Sequence, residues 1–148
     1  MVRGSRRPLS SGVVGRPEYY GNPAGLTADI DVVRAIYAAF AARDLEGALA
    51  FVSPECEIHL AGTPRAVGRT EPYRGHAGLR EYFADVERVW QELTIHAEDF
   101  RVIPGSVIVM GHVAGRARGS PVRRSCVWTW RVSGGRAVNV RVADMGDT

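Results

Sequence analysis

The chain has 148 residues, 45% hydrophobic and 24% charged, and a formal net charge of +3. That is enough chain to bury one core without a metal or disulfide framework, and no apolar run approaches the roughly 18 residues needed to span a bilayer. Residues 1–28 carry the whole excess, Arg3, Arg6, Arg7 and Arg16 against Glu18, while residues 29–148 hold 15 arginines against 15 acids; a balanced body has no bulk attraction for nucleic acid.

All 19 basic residues are arginine and none is lysine. With so much Ala, Gly and Val, this suggests a GC-rich genome, and a bacterial source is expected. Cys56 and Cys126 lie far apart in the chain, which points to free buried thiols and a reducing, cytoplasmic compartment.

Residues 1–27 begin with "MVRGSRRPLSSGVVGRPEYYGNPAG", which has Gly, Pro and Ser throughout and no apolar period, so a flexible extension is expected. "SRRPL" faintly resembles a twin-arginine export signal, but no apolar segment follows it and export is not expected. Limited proteolysis should trim the chain to about Thr27 without changing its melting temperature; a drop of several degrees would show that the extension docks on the domain.

The ordered domain is expected over residues 28–145. Thr27 is a plausible helix cap, with Asp29 and Asp31 in the first turn. Ile30, Val33, Ile36, Tyr37 and Phe40 then recur at helical spacing. Asp44 can cap a shorter helix bearing Leu45, Ala48, Leu49 and Val52, which Ser53-Pro54 ends. In "CEIHLAG" (56–62) Cys56, Ile58 and Leu60 alternate with Glu57 and His59, the pattern of a half-buried strand over 55–60. A loop from Ala61 to Gly75 leads to a third helix starting near His76, with Leu79, Tyr82, Phe83, Val86 and Trp90 on one face. Strands follow at 93–103, 106–117, 122–133 and 136–144, separated by Pro104-Gly105, Gly119-Ser120-Pro121 and Ser133-Gly134-Gly135. This order predicts an α+β fold: a curved antiparallel sheet with three helices on one face, enclosing a conical cavity.

"ARDLEGALAFVSPE", "PYRGHAGLREYF" and "WTWRVSGGRAVNVRVADM" resemble the helix junction, strand–loop–helix signature and closing hairpin of the nuclear transport factor 2-like superfamily, in its SnoaL-like and ketosteroid isomerase-like branch. The resemblance covers about residues 29–145 and implies the cone-shaped fold. It carries little about function, because the fold hosts isomerases, cyclases, dehydratases and plain binders. The isomerase tyrosine position falls on Ile36, beside Tyr37, the base position on Leu60, and the late acid on Val127 or Trp128, so steroid isomerisation by that mechanism is excluded. His59 in "I-H-L-A-G" aligns with a histidine frequent in SnoaL-like strand ends, where the resemblance suggests an acid–base role.

The candidate catalytic residues are His59, Asp144 and Tyr37. An imidazole can exchange a proton near neutral pH, yet strand parity sets His59 on the face opposite the core unless the strand bulges before Ala61; a solvent or subunit-interface histidine is the alternative. Val140, Val142 and Asp144 share a face, so Asp144 is expected at the cavity wall with a pKa raised by burial, unless the strand has frayed by then. Tyr37 is either core or a hydroxyl at the pocket. Phe40, Tyr82, Phe83, Trp90, Trp128 and Trp130 are candidates for an aromatic ligand-binding wall, and equally for an ordinary core. Arg74, Gly75 and His76 read as structural: an acid partner, an unusual turn and a helix start. With no H-x-H, H-E-x-x-H or cysteine pair, no G-x-S-x-G elbow and no glycine-rich phosphate loop, no metal or other cofactor is expected.

Two functions remain. One is a cofactor-free acid–base enzyme (cyclase, isomerase or dehydratase) acting on a small, largely apolar carbonyl compound such as a polyketide-type intermediate. The other is a non-catalytic small-molecule binder or dimeric scaffold. In either case the expected partner is a small apolar molecule, with no nucleic acid or membrane, and the uncovered sheet face should make a homodimer.

Overall fold

The computed structural model describes residues 23–147, with side chains from Ala28 to Gly146; the arginine-rich stretch over residues 1–22 lies outside the described residues. Helix α1 spans Pro23–Ala41, beginning four residues before the start expected at Thr27, with a proline at the first position where a missing N–H costs nothing. Its apolar stripe of Ile30, Val33, Ile36 and Phe40 is buried as the spacing requires. Arg43 ends it in the left-handed region at φ 54°. The guanidinium of that residue donates to the Phe40 carbonyl at 2.6 Å and the Leu93 carbonyl at 2.8 Å, tying the helix end to a strand. Helix α2, Leu45–Leu49, is capped by the Asp44 side chain, which accepts from the Gly47 N–H at 3.0 Å.

Strand β1 runs Val52–His59. The stretch expected to be loop contains a short helix α3, Gly62–Ala66, and a two-residue strand β2, Tyr73–Arg74. Helix α4 follows over Gly75–Val89. Gly75 sits at φ 65°, and a side chain there would also strike the Pro54 carbonyl oxygen, so this turn needs glycine. Then come β3 (Trp90–Ile103), β4 (Ser106–Ala117), β5 (Ser120–Ser133) and β6 (Arg136–Asp147). The last turn, Gly134-Gly135, has both glycines at positive φ, as a two-residue hairpin loop requires.

The strand order is β2-β1-β6-β5-β4-β3. All pairs are antiparallel except β1 with β6, which run parallel. The meander therefore returns its last strand beside the first. Register shifts between Ala97 and Asp99 on β3, and between Ser125 and Cys126 against β6, bend the sheet. Its concave face carries Val107, Val109, Trp128, Trp130 and Val140 against α1 and α4 in one core. Trp90 does not extend the α4 stripe as expected; it is already extended backbone and opens β3. No described helix is long and apolar enough to cross a membrane.

Candidate functional site

The curl of the sheet leaves two adjoining chambers beneath the helices. The inner one, about 60 Å³, is walled by Tyr37, Phe40, Tyr82, Phe83, Trp128 and Trp130 with aliphatic neighbours. The outer one, about 100 Å³, opens past Thr63, Trp90, Val122, Arg124, Val142 and Asp144. Leu60, Tyr82, Ile95 and Trp128 line both. Such volumes hold a few water molecules each at about 10–15 Å³ per water, so a ring-sized guest must shift side chains at the shared wall. All six aromatic residues of the expected wall line one chamber or the other.

Tyr37 stands at the floor. Its hydroxyl oxygen accepts from Trp130 Nε1 at 3.0 Å, and its ring meets Phe100, Trp128 and Trp130 edge to face. Burial pushes its pKa up, only partly opposed by the Trp130 bond. The group stays protonated, and because Trp130 Nε1 can only donate, the tyrosine proton is directed elsewhere. Tyr82, between the chambers, is likewise raised to about 12 by burial, with Arg43 and a bond to Thr63 acting the other way.

The mouth is polar. The Thr63 hydroxyl, presented by α3, accepts from Trp90 Nε1 at 2.9 Å. On the facing strands Arg124 Nε donates to both carboxylate oxygens of Asp144 at 3.1 Å, and its Nη2 lies 3.0 Å from Oδ1. The Gly146 N–H adds a bond to Oδ1 at 2.8 Å. Asp144 thus shares the cavity face with Val140 and Val142, as strand parity implied, but the sign of its pKa shift is the reverse of that expected. The Arg124 bonds, then the Gly146 N–H, and more distantly Arg65, outweigh desolvation and hold the carboxyl below its ordinary value of 3.8. It is a carboxylate held by a guanidinium, not a buried neutral acid.

His59 is not in this constellation. The register of β1 on β6 is continuous from Glu57 to His59, and the irregularity lies earlier, between Val52 and Glu57. No bulge turns His59 inward, and it lines neither chamber. Its Nε2 lies 3.1 Å from Glu57 Oε1, and Arg74 donates to the other Glu57 oxygen at 2.6 Å. His76 bonds the Val52 carbonyl at 2.7 Å. The structure therefore sets Tyr37 on the inner chamber and Asp144 on the outer one, across a shared wall, and leaves His59 outside both.

Arg124 and Thr63 did not stand out in the sequence. Arg124 had a readable signal: it is two residues before Cys126 and in step with Trp128 and Trp130, which places an arginine on the apolar face of β5. Thr63 had none, because α3 is too short to leave a period. Both thiols are buried; burial raises Cys56 to about 12 and raises Cys126 as well, so neither offers a thiolate near neutral pH. Among the described residues no three His, Cys, Asp or Glu side chains are grouped to hold a metal ion.

Residues 33–140 match the SnoaL-like domain. No curated protein matches the sequence. Among solved structures, the chain is similar to an NTF2-like protein from Burkholderia pseudomallei, with TM-score 0.72 and 24% identity over 79% of this chain and 90% of that one. It is also similar to TerC, crystallised with polyporic acid, with TM-score 0.72 and 26% identity over 79% and 91%. A putative polyketide cyclase from Sinorhizobium meliloti shares the fold with TM-score 0.61 and 18% identity over 76% and 94%.

Proposed function

Because the chain belongs to the SnoaL-like domain family within the NTF2-like superfamily, we propose that its cone binds a flat, largely apolar carbonyl compound and moves a proton on it without a cofactor. The observation that carries this reading is Asp144, a carboxylate held ionised by Arg124 at the polar mouth of a cavity walled mainly by apolar and aromatic side chains. A carboxylate of depressed pKa is a weak base, so its substrate needs an acidified C–H, such as one between two carbonyls in a polyketide-type intermediate. Asp144 removes that proton. Arg124, released from the pair, and the Tyr37 hydroxyl at the floor are the donors available to enolate oxygens. Polyporic acid in TerC and the cyclase name of the Sinorhizobium protein support an enolised, aromatic-type ligand.

The test is α-proton exchange in D2O, followed by NMR over a panel of small aromatic 1,3-dicarbonyls and hydroxyquinones. The enzyme reading expects exchange with at least one of them and none with Asp144→Asn. Saturable binding without exchange by the native chain favours the second reading, a ligand-binding module. That reading has its own observation, since the inner chamber is walled mainly by apolar and aromatic side chains.

The homodimer belongs to the same proposal, as does residence in a bacterial cytoplasm. On the sheet face away from the helices, Ile108, Met110, Val127 and Thr129 are half-buried rather than covered, the exposed apolar area an isologous interface would use. Sedimentation at micromolar concentration should give twice the 16.1 kDa chain mass; monomer alone would count against it.

A further inference from the structure

Behind the cone wall lies a third cavity, about 310 Å³ and larger than either chamber. It is bounded by the end of β1, by α3 and by the loop leading to β2. Its lining mixes apolar residues with Thr70 and the ionisable side chains His59, Arg65, Arg69 and Glu71. Leu60 and Ala61 are common to this cleft and the outer chamber, so a single strand end separates the two.

Its charged groups are unequally occupied. Arg69 is fixed: its Nε donates to the Glu71 carbonyl at 3.0 Å and its Nη2 to the Pro72 carbonyl at 3.2 Å, with Glu81 3.6 Å away and the Tyr73 ring beneath at 4.1 Å. Those partners use Nε and Nη2 and leave the Nη1 edge. Arg65 has no side-chain hydrogen bond or ion pair among the described residues; its recorded interaction is the attraction to Asp144. Around His59, Glu57 stands on its own strand, Arg74 on β2, Arg141 as its register partner on β6, Arg65 on α3, and Arg69 and Glu71 on the loop. Four arginines face three glutamates, of which Glu57 is taken by Arg74 and Glu81, on α4, lies against Arg69.

We propose that this cleft is a second ligand site that takes a compact oxyanion, a carboxylate, sulfate or phosphate group, between Arg65, the Nη1 edge of Arg69 and His59. A carboxylate can only accept, so the His59 nitrogen facing Glu57 carries the hydrogen. The neutral ring then offers a lone pair at Nδ1, which repels an oxyanion. Protonation turns Nδ1 into a donor, making a charge-assisted bond available. Binding is therefore coupled to proton uptake at His59 and strengthens as pH falls. The anion is either free or the acidic end of a ligand whose apolar body sits in the cone beyond Leu60.

The full-length chain is titrated with sodium sulfate, whose charge is constant between pH 5.5 and 8, at ionic strength held with chloride, and followed by NMR of the backbone amides and His59 ring. Saturable binding at pH 5.5, about tenfold weaker at pH 8, is expected. His59→Gln should remove the pH dependence, and Arg65→Ala should weaken binding about tenfold at both pH values. Thermal melts confirm that both exchanges leave the fold intact. Shifts that never saturate, or a pH dependence that survives His59→Gln, overturn the proposal. The two sources separate by dye competition: sulfate displacing 8-anilinonaphthalene-1-sulfonate but not neutral 1-anilinonaphthalene assigns the cleft to a cone ligand's acidic end. Sulfate binding that displaces neither dye assigns it to a free anion. None of the substituted side chains lines the cone chambers, so failure here leaves the cone reading standing.

Discussion

Asp144→Asn is expected to lower kcat/KM for proton removal by about 10²–10⁴-fold, the contribution of a positioned general base, with little change in melting temperature. The amide keeps the shape of the carboxylate and can still accept from Arg124 or Gly146, so the mouth stays assembled while the base is gone. The pH profile distinguishes this role from a merely structural one. Arg124 and the Gly146 N–H hold the carboxyl below 3.8, so activity that depends on the carboxylate should stay flat from neutral pH down through pH 5. A carboxyl raised by burial would lose activity well above that. The same sign governs stability: the depressed carboxyl stabilises the fold above its unfolded-state value, and that contribution disappears as pH falls through the lower folded-state value. Full activity in Asp144→Asn, or an acid limb near pH 6, would remove Asp144 from the chemistry.

Tyr73→Ala is expected to destabilise the domain by about 3–5 kcal/mol, the usual cost of truncating a buried aromatic residue. Tyr73 is fully buried. Its hydroxyl donates to Asp85 Oδ2 at 2.9 Å, its ring meets Tyr82 edge to face, and Gly78 of α4 packs directly against it. Truncation leaves a cavity where β2 and α4 close on β1, and leaves the buried Asp85 carboxylate with Arg88 as its remaining recorded partner. For a domain of this size that corresponds to roughly 10 °C in Tm. Tyr73→Phe, which keeps the ring and removes one bond to a charged group, should cost about 1–3 kcal/mol. Urea unfolding of the three chains gives both numbers. A Tyr73→Ala loss under about 1 kcal/mol would mean that β2 and the start of α4 are outside the cooperative core.

Neighbouring residues along the chain were enough for several features of this protein. The 3.6-residue recurrence of Ile30, Val33, Ile36 and Phe40 marks α1. The turn chemistry at Pro104-Gly105 and Gly134-Gly135 delimits the hairpins. Strand alternation sets Val140, Val142 and Asp144 on one face of β6 and leaves His59 on the outer side of β1. These follow from periods and φ preferences, which a local window contains. Other features depend on residues far apart in sequence. β2 has two residues and α3 has five, too few to show a period, and both exist because β1 and α4 hold them. The parallel pairing of β1 with β6 joins residues about 80 apart. The charge state of Asp144 is of the same kind. Which arginine meets it depends on the register of β5 on β6 and on the shift at Ser125 and Cys126. One place of slippage would send Arg124 to the other face and leave a carboxyl at an apolar cavity wall, where desolvation raises a pKa instead of lowering it.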